Sequence, residues 1–180
     1  VTRRTPLNEE EAATVLNGVS TVPVNRGASP IEVVPIEGKD LEGRSVRWDP
    51  RRGVGSTLLL FLSTTCDGCR DLFAALEDPR EMGAEPDTKI ILLFRSLSSV
   101  DRAQLKDLAR GFSCVESQTT WEQYKVAGPP FFTYIDPHFD TVGTEGVAWG
   151  PESVASAVEA ARAGTPGLEA VRMDPGADLG

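Results

Sequence analysis

The 180-residue sequence is poor in several things at once. It holds three cysteines and one histidine. That is too few cysteines for a disulfide-stapled scaffold, which a chain this long does not need. There is no excess of positive charge either. Eighteen Lys and Arg stand against 27 Asp and Glu, a net charge of −9. No basic footprint is left to neutralise phosphates, so a nucleic-acid role is set aside. Long apolar runs are missing as well. None is longer than Leu58 to Leu62, which falls far short of the ~20 residues that span a bilayer and so sets aside a membrane-spanning role. What is there is 40% hydrophobic and 25% charged, an ordinary globular balance and enough chain for one compact domain with short extensions. The sequence begins at Val1 rather than methionine. Removal of an upstream tag, signal peptide or membrane anchor is the expectation, with the choice among the three open.

Residues 1–30 read as an extension. Asn8 followed by Glu9, Glu10 and Glu11 suits a first helical turn, giving a short helix to about Leu16. The domain proper spans 31–164. It opens with two extended segments, Ile31–Ile36 and Arg44–Trp48, separated by Gly38, Asp40 and Gly43 as in a hairpin. Thr57–Leu62 is continuously apolar after the threonine, Lys89–Arg95 contains Ile90-Ile91-Leu92-Leu93-Phe94, and both are too short for helices, as in strands buried on both faces. Between them Arg70–Leu76 reads as helix, ended near Asp78-Pro79. Ser98 or Ser99 caps a helix through Leu105, Leu108 and Ala109 that stops at Gly111. Phe112–Val115 is a short strand and Thr119–Tyr124 a turn or two of helix. Phe131–Ile135 and Thr141–Trp149 form a final hairpin with Asp136-Pro137-His138 in its turn. Pro151 starts a last helix, with Val154, Ala155, Val158 and Ala161 at helical spacing up to Gly164. Residues 165–180, with Pro166, Gly167, Pro175 and Gly176, read as a loose tail. Strands alternating with helices before a closing hairpin and helix imply an α/β fold: a mixed sheet with helices on both faces.

The chemistry concentrates at Cys66-Asp67-Gly68-Cys69. Cys66 lies where a buried strand hands over to a helix, and unpaired N–H groups with the positive end of the helix dipole favour a thiolate there. The thiolate is the attacking species, so Cys66 is the candidate nucleophile. Cys69, on the same helix face, is near enough to close a disulfide on it. Such a pair can resolve a mixed disulfide and cycle between dithiol and disulfide. Two other readings stay open at this point. The pair can be half of a zinc site completed by Cys114 and His138, or a structural disulfide or pair of inert thiols.

The segment Thr57-Leu58-Leu59-Leu60-Phe61-Leu62-Ser63-Thr64-Thr65-Cys66-Asp67-Gly68-Cys69, taken with Tyr124-Lys125-Val126-Ala127-Gly128-Pro129-Pro130-Phe131-Phe132, resembles the thioredoxin superfamily. The resemblance covers roughly residues 31–164. It implies a thioredoxin-like fold with an N-terminal β-hairpin extension and a thiol–disulfide oxidoreductase activity that needs no cofactor and no metal. It makes Pro130 the family's cis-proline and Gly128, Pro129 and Pro130 the loop that seats a substrate disulfide. The implied partners are a protein disulfide and an upstream thiol electron donor. The hairpin ahead of the cysteine strand looks closest to the extracytoplasmic, membrane-anchored branch of cytochrome maturation and methylamine utilisation. That places the protein on the outer side of a bacterial membrane, with the cytoplasm as the alternative.

The departures bear on tuning. The family's tryptophan before the first cysteine is Thr65 here, its Gly-Pro between the cysteines is Asp67-Gly68, and its buried acid six residues upstream is Leu60. These losses put in doubt the proton-relay partner and the general substrate range of thioredoxins. Thr65, Asp67 and Gly68 are therefore the redox-tuning candidates. The Asp67 carboxylate opposes the Cys66 thiolate, so the disulfide should be hard to reduce and the protein a reductant. A peroxiredoxin-type peroxidase would carry a proline seven residues and a Thr or Ser three residues before its cysteine; Ser63 meets the second requirement, whereas Leu59 occupies the first position. A non-enzymatic module that docks one partner or holds a soft metal such as Cu(I) on both thiolates is the other alternative. Cys114 reads as a buried apolar residue, His138 as an exposed turn residue, and the Ser63-Thr64-Thr65 run as backbone satisfaction at a strand end. Trp48, Trp121 and Trp149 are expected in cores more than on a substrate surface.

Overall fold

A computed structural model describes residues 30–172. The expected helix at Glu9–Leu16 lies outside the described residues. Seven strands, β1 (Ile36–Lys39), β2 (Ser45–Trp48), β3 (Thr57–Phe61), β4 (Lys89–Phe94), β5 (Ser113–Glu116), β6 (Phe131–Ile135) and β7 (Thr144–Val147), make one sheet in the order β2-β1-β5-β4-β3-β6-β7. The three central strands β5, β4 and β3 run parallel, and antiparallel pairs close both edges. Among the described residues four α-helices accompany them: α1 (Arg70–Ala74), α2 (Ser99–Leu108), α3 (Gln118–Gln123) and α4 (Pro151–Arg172).

The apolar runs are strands because both of their faces are covered. Leu58, Leu60, Leu92 and Phe94 pack under Leu72 and Phe73 of α1, Leu105 of α2, and Val154 and Val158 of α4. Leu59, Phe61, Ile91 and Leu93 face Trp121 of α3, Tyr124, and the Val33–Ile36 segment. Phe61 meets the Trp121 ring edge-on at 5.2 Å, an aromatic geometry that adds about 0.5–1.5 kcal/mol to simple burial. Ser98 caps α2 through a reciprocal box with Asp101, worth about 1 kcal/mol. The helix is pinned to the sheet by Arg102, which pairs with Glu116 at 3.1 Å. Among the described residues no helix is long and apolar enough to cross a membrane.

Four boundaries differ from expectation. The first strand starts at Ile36, not Ile31, because Asp40 sets the turn: its carboxylate accepts from the amides of Glu42 and Arg44, and Gly43 supplies φ +81°. Gly38 is therefore in β1, where a Cβ would lie 2.2 Å from the Glu116 carbonyl; only glycine lets β1 come that close to the end of β5. The freed Ile31–Val33 stretch bonds to residues 140–142 instead, through Val33 N–H to Asp140 O and Val142 N–H to Ile31 O, so β7 begins only at Thr144. After the cysteines the helix is composite, with 3-10 turns at Asp67–Cys69 and Ala75–Glu77 on either side of α1. Asp78 then caps a further turn closed by Gly83 at φ +75°. Finally, α4 is described as far as Arg172, where the sequence suggested a stop at Gly164. Residues 173–180 lie outside the described residues.

Candidate active site

The ends of three neighbouring strands meet at one edge of the sheet. Phe61 ends β3 opposite Phe131 at the start of β6, and Phe131 lies opposite Val147 at the end of β7. The cysteine turn follows the first of these ends and the Pro129-Pro130 loop precedes the second. Motifs far apart in sequence are thereby brought together. A Cβ added to Gly68 would lie 3.3 Å from Pro130 Cγ and 4.0 Å from Cys66 Sγ, so the proline ring rests on the bare backbone between the cysteines. The Pro129–Pro130 peptide is cis.

Cys66 and Cys69 form a disulfide with Cα atoms 5.3 Å apart. They are not equivalent. Cys66 is half-buried at the N-cap of the helical run and has extended backbone angles, whereas Cys69 is fully buried in the core. A partner arriving from solvent meets Cys66 first. Asp67 is 96% exposed and its carboxylate is held by the Arg70 guanidinium at 3.0 Å, so the negative charge expected to oppose the thiolate is locally matched by a positive one. Thr65 is exposed and shares a 3.1 Å hydroxyl contact with Ser63. Thr64 donates to Asp101, tying the loop before Cys66 to the start of α2. The bonds from Thr64 and Ser98 hold the Asp101 carboxyl below its ordinary range. A groove of about 830 Å³ leaves Cys66 between α1 and α2, with Phe73, Leu76, Leu108 and Phe112 among its lining.

On the other side of the sulfur lies the 126–130 loop. Gly128 and Pro130 are half-buried and Pro129 is exposed. The loop is fastened by a residue that sequence reasoning missed. Arg95, just past the end of β4, donates to the carbonyls of Val126 (3.0 Å) and Ala127 (2.8 Å) and lies over the Trp121 ring at 4.6 Å. Its only sequence signal is a charge at the end of an apolar strand. Tyr124 secures the loop from beneath: its hydroxyl donates to Val34 O at 2.7 Å, and burial pushes its pKa up to about 12.

The zinc alternative does not survive the topology. His138 is exposed past the end of β6 at Ile135, which pairs with Thr57 at the beginning of β3, so it sits at the opposite sheet edge from Cys66. Cys114 is buried within β5 opposite Leu92, its thiol pushed up to about 12 by burial. Among the described residues no group of three or more His, Cys, Asp or Glu is placed to hold a metal ion. Leu59 is fully buried in β3. Of the three tryptophans, Trp121 fills the core as expected and Trp48 is half-buried, but Trp149 is 82% exposed.

No protein-family model matches the chain, and a sequence search of curated proteins finds no match. Solved structures do match. The thioredoxin domain of a thiol-disulfide oxidoreductase from Bacteroides vulgatus aligns with a TM-score of 0.59 at 18% identity, over 74% of this chain and 98% of its own. A secreted Mycobacterium tuberculosis disulfide oxidoreductase homologous to E. coli DsbE aligns at 0.54 and 16%, over 69% and 95%. The peroxidoxin BcpB of the same organism aligns at 0.59 and 17%, over 75% and 96%. At these identities the likeness is one of fold: the chain has a thioredoxin-like α/β fold.

Proposed function

We propose that the protein is a thiol–disulfide oxidoreductase that reduces a specific protein disulfide. The observation that carries this reading is the contact between the two motifs, with Gly68 beneath Pro130 and a half-exposed Cys66 joined to a buried Cys69. In the dithiol form the Cys66 thiolate attacks one sulfur of the substrate disulfide; a mixed disulfide forms and one substrate thiolate leaves. Cys69, deprotonated, then attacks Cys66 Sγ, closing the intramolecular bond and releasing the second substrate thiolate. Two electrons pass to the substrate, and the two protons lost by Cys66 and Cys69 balance those its thiols take up. A dithiol donor restores the starting state. The Gly128–Pro130 loop seats the substrate, and Thr65, Asp67 and Gly68 tune the potential.

The outer side of a bacterial membrane is the proposed location, in the anchored branch that the β1–β2 hairpin resembles. The likeness to a secreted mycobacterial oxidoreductase supports it. The fold likeness to a peroxidoxin does not favour a peroxidase, since Leu59 stands where that chemistry places a proline. The test is a titration of the dithiol against defined redox buffers. A reversible two-electron transition in the wild type that is lost in Cys66→Ser is expected. A pair that never exchanges with any disulfide, or that holds stoichiometric soft metal instead, refutes the reading.

A further inference from the structure

We propose that Trp149 is a docking anchor for the substrate polypeptide, taking a large apolar side chain about three residues from the reacting cysteine. The proposal rests on the dithiol reading above. Trp149 directly follows Ala148, whose N–H donates to the Pro130 carbonyl at 3.1 Å. The same proline rests on the cysteine turn. Trp149 thus follows directly on the strand end that is bonded to Pro130, and it is 82% exposed. Folding leaves unburied here a side chain that contributes heavily to burial and to interfaces alike. Its surroundings suit a partner chain. Ala127 and Pro129, in the loop that leads to Pro130, are exposed. A Cβ at Gly128 or Gly150 would meet nothing within 4 Å, so the backbone on either side of the proline and the indole is open.

The spacing sets the class of partner. Cys66 follows β3, Pro130 precedes β6 and Trp149 follows β7, and these are consecutive strands. Two interstrand spacings amount to about 10 Å, which an extended peptide covers in about three residues at ~3.4 Å each. A polypeptide disulfide reaches the indole; a compact small-molecule disulfide does not.

The experiment uses the reduced full chain and peptides whose cysteine carries a thionitrobenzoate leaving group, released as a coloured thiolate. Leucine or phenylalanine is placed one to five positions from the cysteine, on either side, in an otherwise Ala-Ser background. The rate with each peptide is divided by the rate with the bis-thionitrobenzoate disulfide itself. We expect the ratio to peak with the apolar residue near the third position. In Trp149→Ala it should fall about tenfold, equivalent to 1.4 kcal/mol, and Trp149→Phe should recover most of the loss. The all-Ala-Ser peptide should lose much less. A ratio that is the same in wild type and Trp149→Ala, or that falls equally for every peptide, overturns the proposal while leaving the dithiol reading intact. Failure of the wild-type dithiol to react even with the small disulfide overturns both.

Discussion

Arg95 carries the most direct mechanical consequence of the structure. Replacing it with alanine removes two hydrogen bonds to the Val126 and Ala127 carbonyls and the stacking on Trp121. The loop carbonyls can turn to water, so each lost bond costs ~0.5–1 kcal/mol, not the larger figure for buried charged donors. The ring contact adds ~0.5–1 kcal/mol. Together they favour the closed loop by ~2 kcal/mol, about a thirtyfold change in its opening equilibrium. Hydrogen exchange reads this locally. The amides of Val126, bonded to Trp121 O, and of Ala148, bonded to Pro130 O, should lose protection by about that factor in Arg95→Ala. Amides of β3 and β4 should change far less. Arg95→Lys keeps the charge without the planar fork and should recover only part of the protection. Unchanged protection at Val126, or an equal loss throughout the sheet, would refute the idea that Arg95 acts on the loop.

Limited iodoacetamide treatment of the dithiol at neutral pH should label Cys66, since Cys69 is fully buried; peptide mass mapping that finds Cys69 first reverses the assignment. Asp67→His should make the disulfide more oxidising, because it removes a negative charge and leaves Arg70 unmatched. Screening at so exposed a site limits the shift to ~10–20 mV, and redox-buffer equilibration that gives an unchanged or more reducing potential removes Asp67 from the poise. Cys114 should resist thiol reagents in the folded protein. With its folded pKa raised to about 12 against the ordinary 9.0, unfolding releases a proton between those limits. Its contribution to stability is therefore full below pH 9 and lost as the pH climbs towards 12. Urea denaturation across that range should show a shallower decline for Cys114→Ala than for wild type, and parallel declines would contradict the sign.

The local features were legible in the residues alone. Five consecutive apolar side chains from Leu58 are too few for a helix and bury both faces of a strand wherever they sit. Ser98 and Asp101 cap α2 through contacts three residues apart, and Pro151 begins α4 by its own ring geometry. The cysteine pair was legible by its spacing as a candidate redox pair, with metal and inert-thiol readings beside it, while its union with the Gly128–Pro130 loop was an implication of resemblance until the sheet placed Gly68 against Pro130.

What only the tertiary structure decided are the properties set by pairing between distant segments. Ile31–Val33 has the composition of a hairpin strand, but the Asp40 turn fixes the register one way and residues 140–142 take the spare edge. Arg95 and Arg70 look alike in sequence. One clasps carbonyls more than thirty positions away, and the other answers the neighbouring Asp67 charge. Trp121 and Trp149 are the same residue with opposite fates. Trp121 is pressed on Phe61 beneath the sheet, and Trp149 is left in solvent just past the Ala148–Pro130 bond. By itself the sequence determined which segments become strands and helices and where a thiol meets a helix start, because periodicity and capping act over a few residues. Solvent exposure and long-range contacts such as the Arg95 clasp depend on which strand lies next to which, and that was decided only when the chain closed on itself.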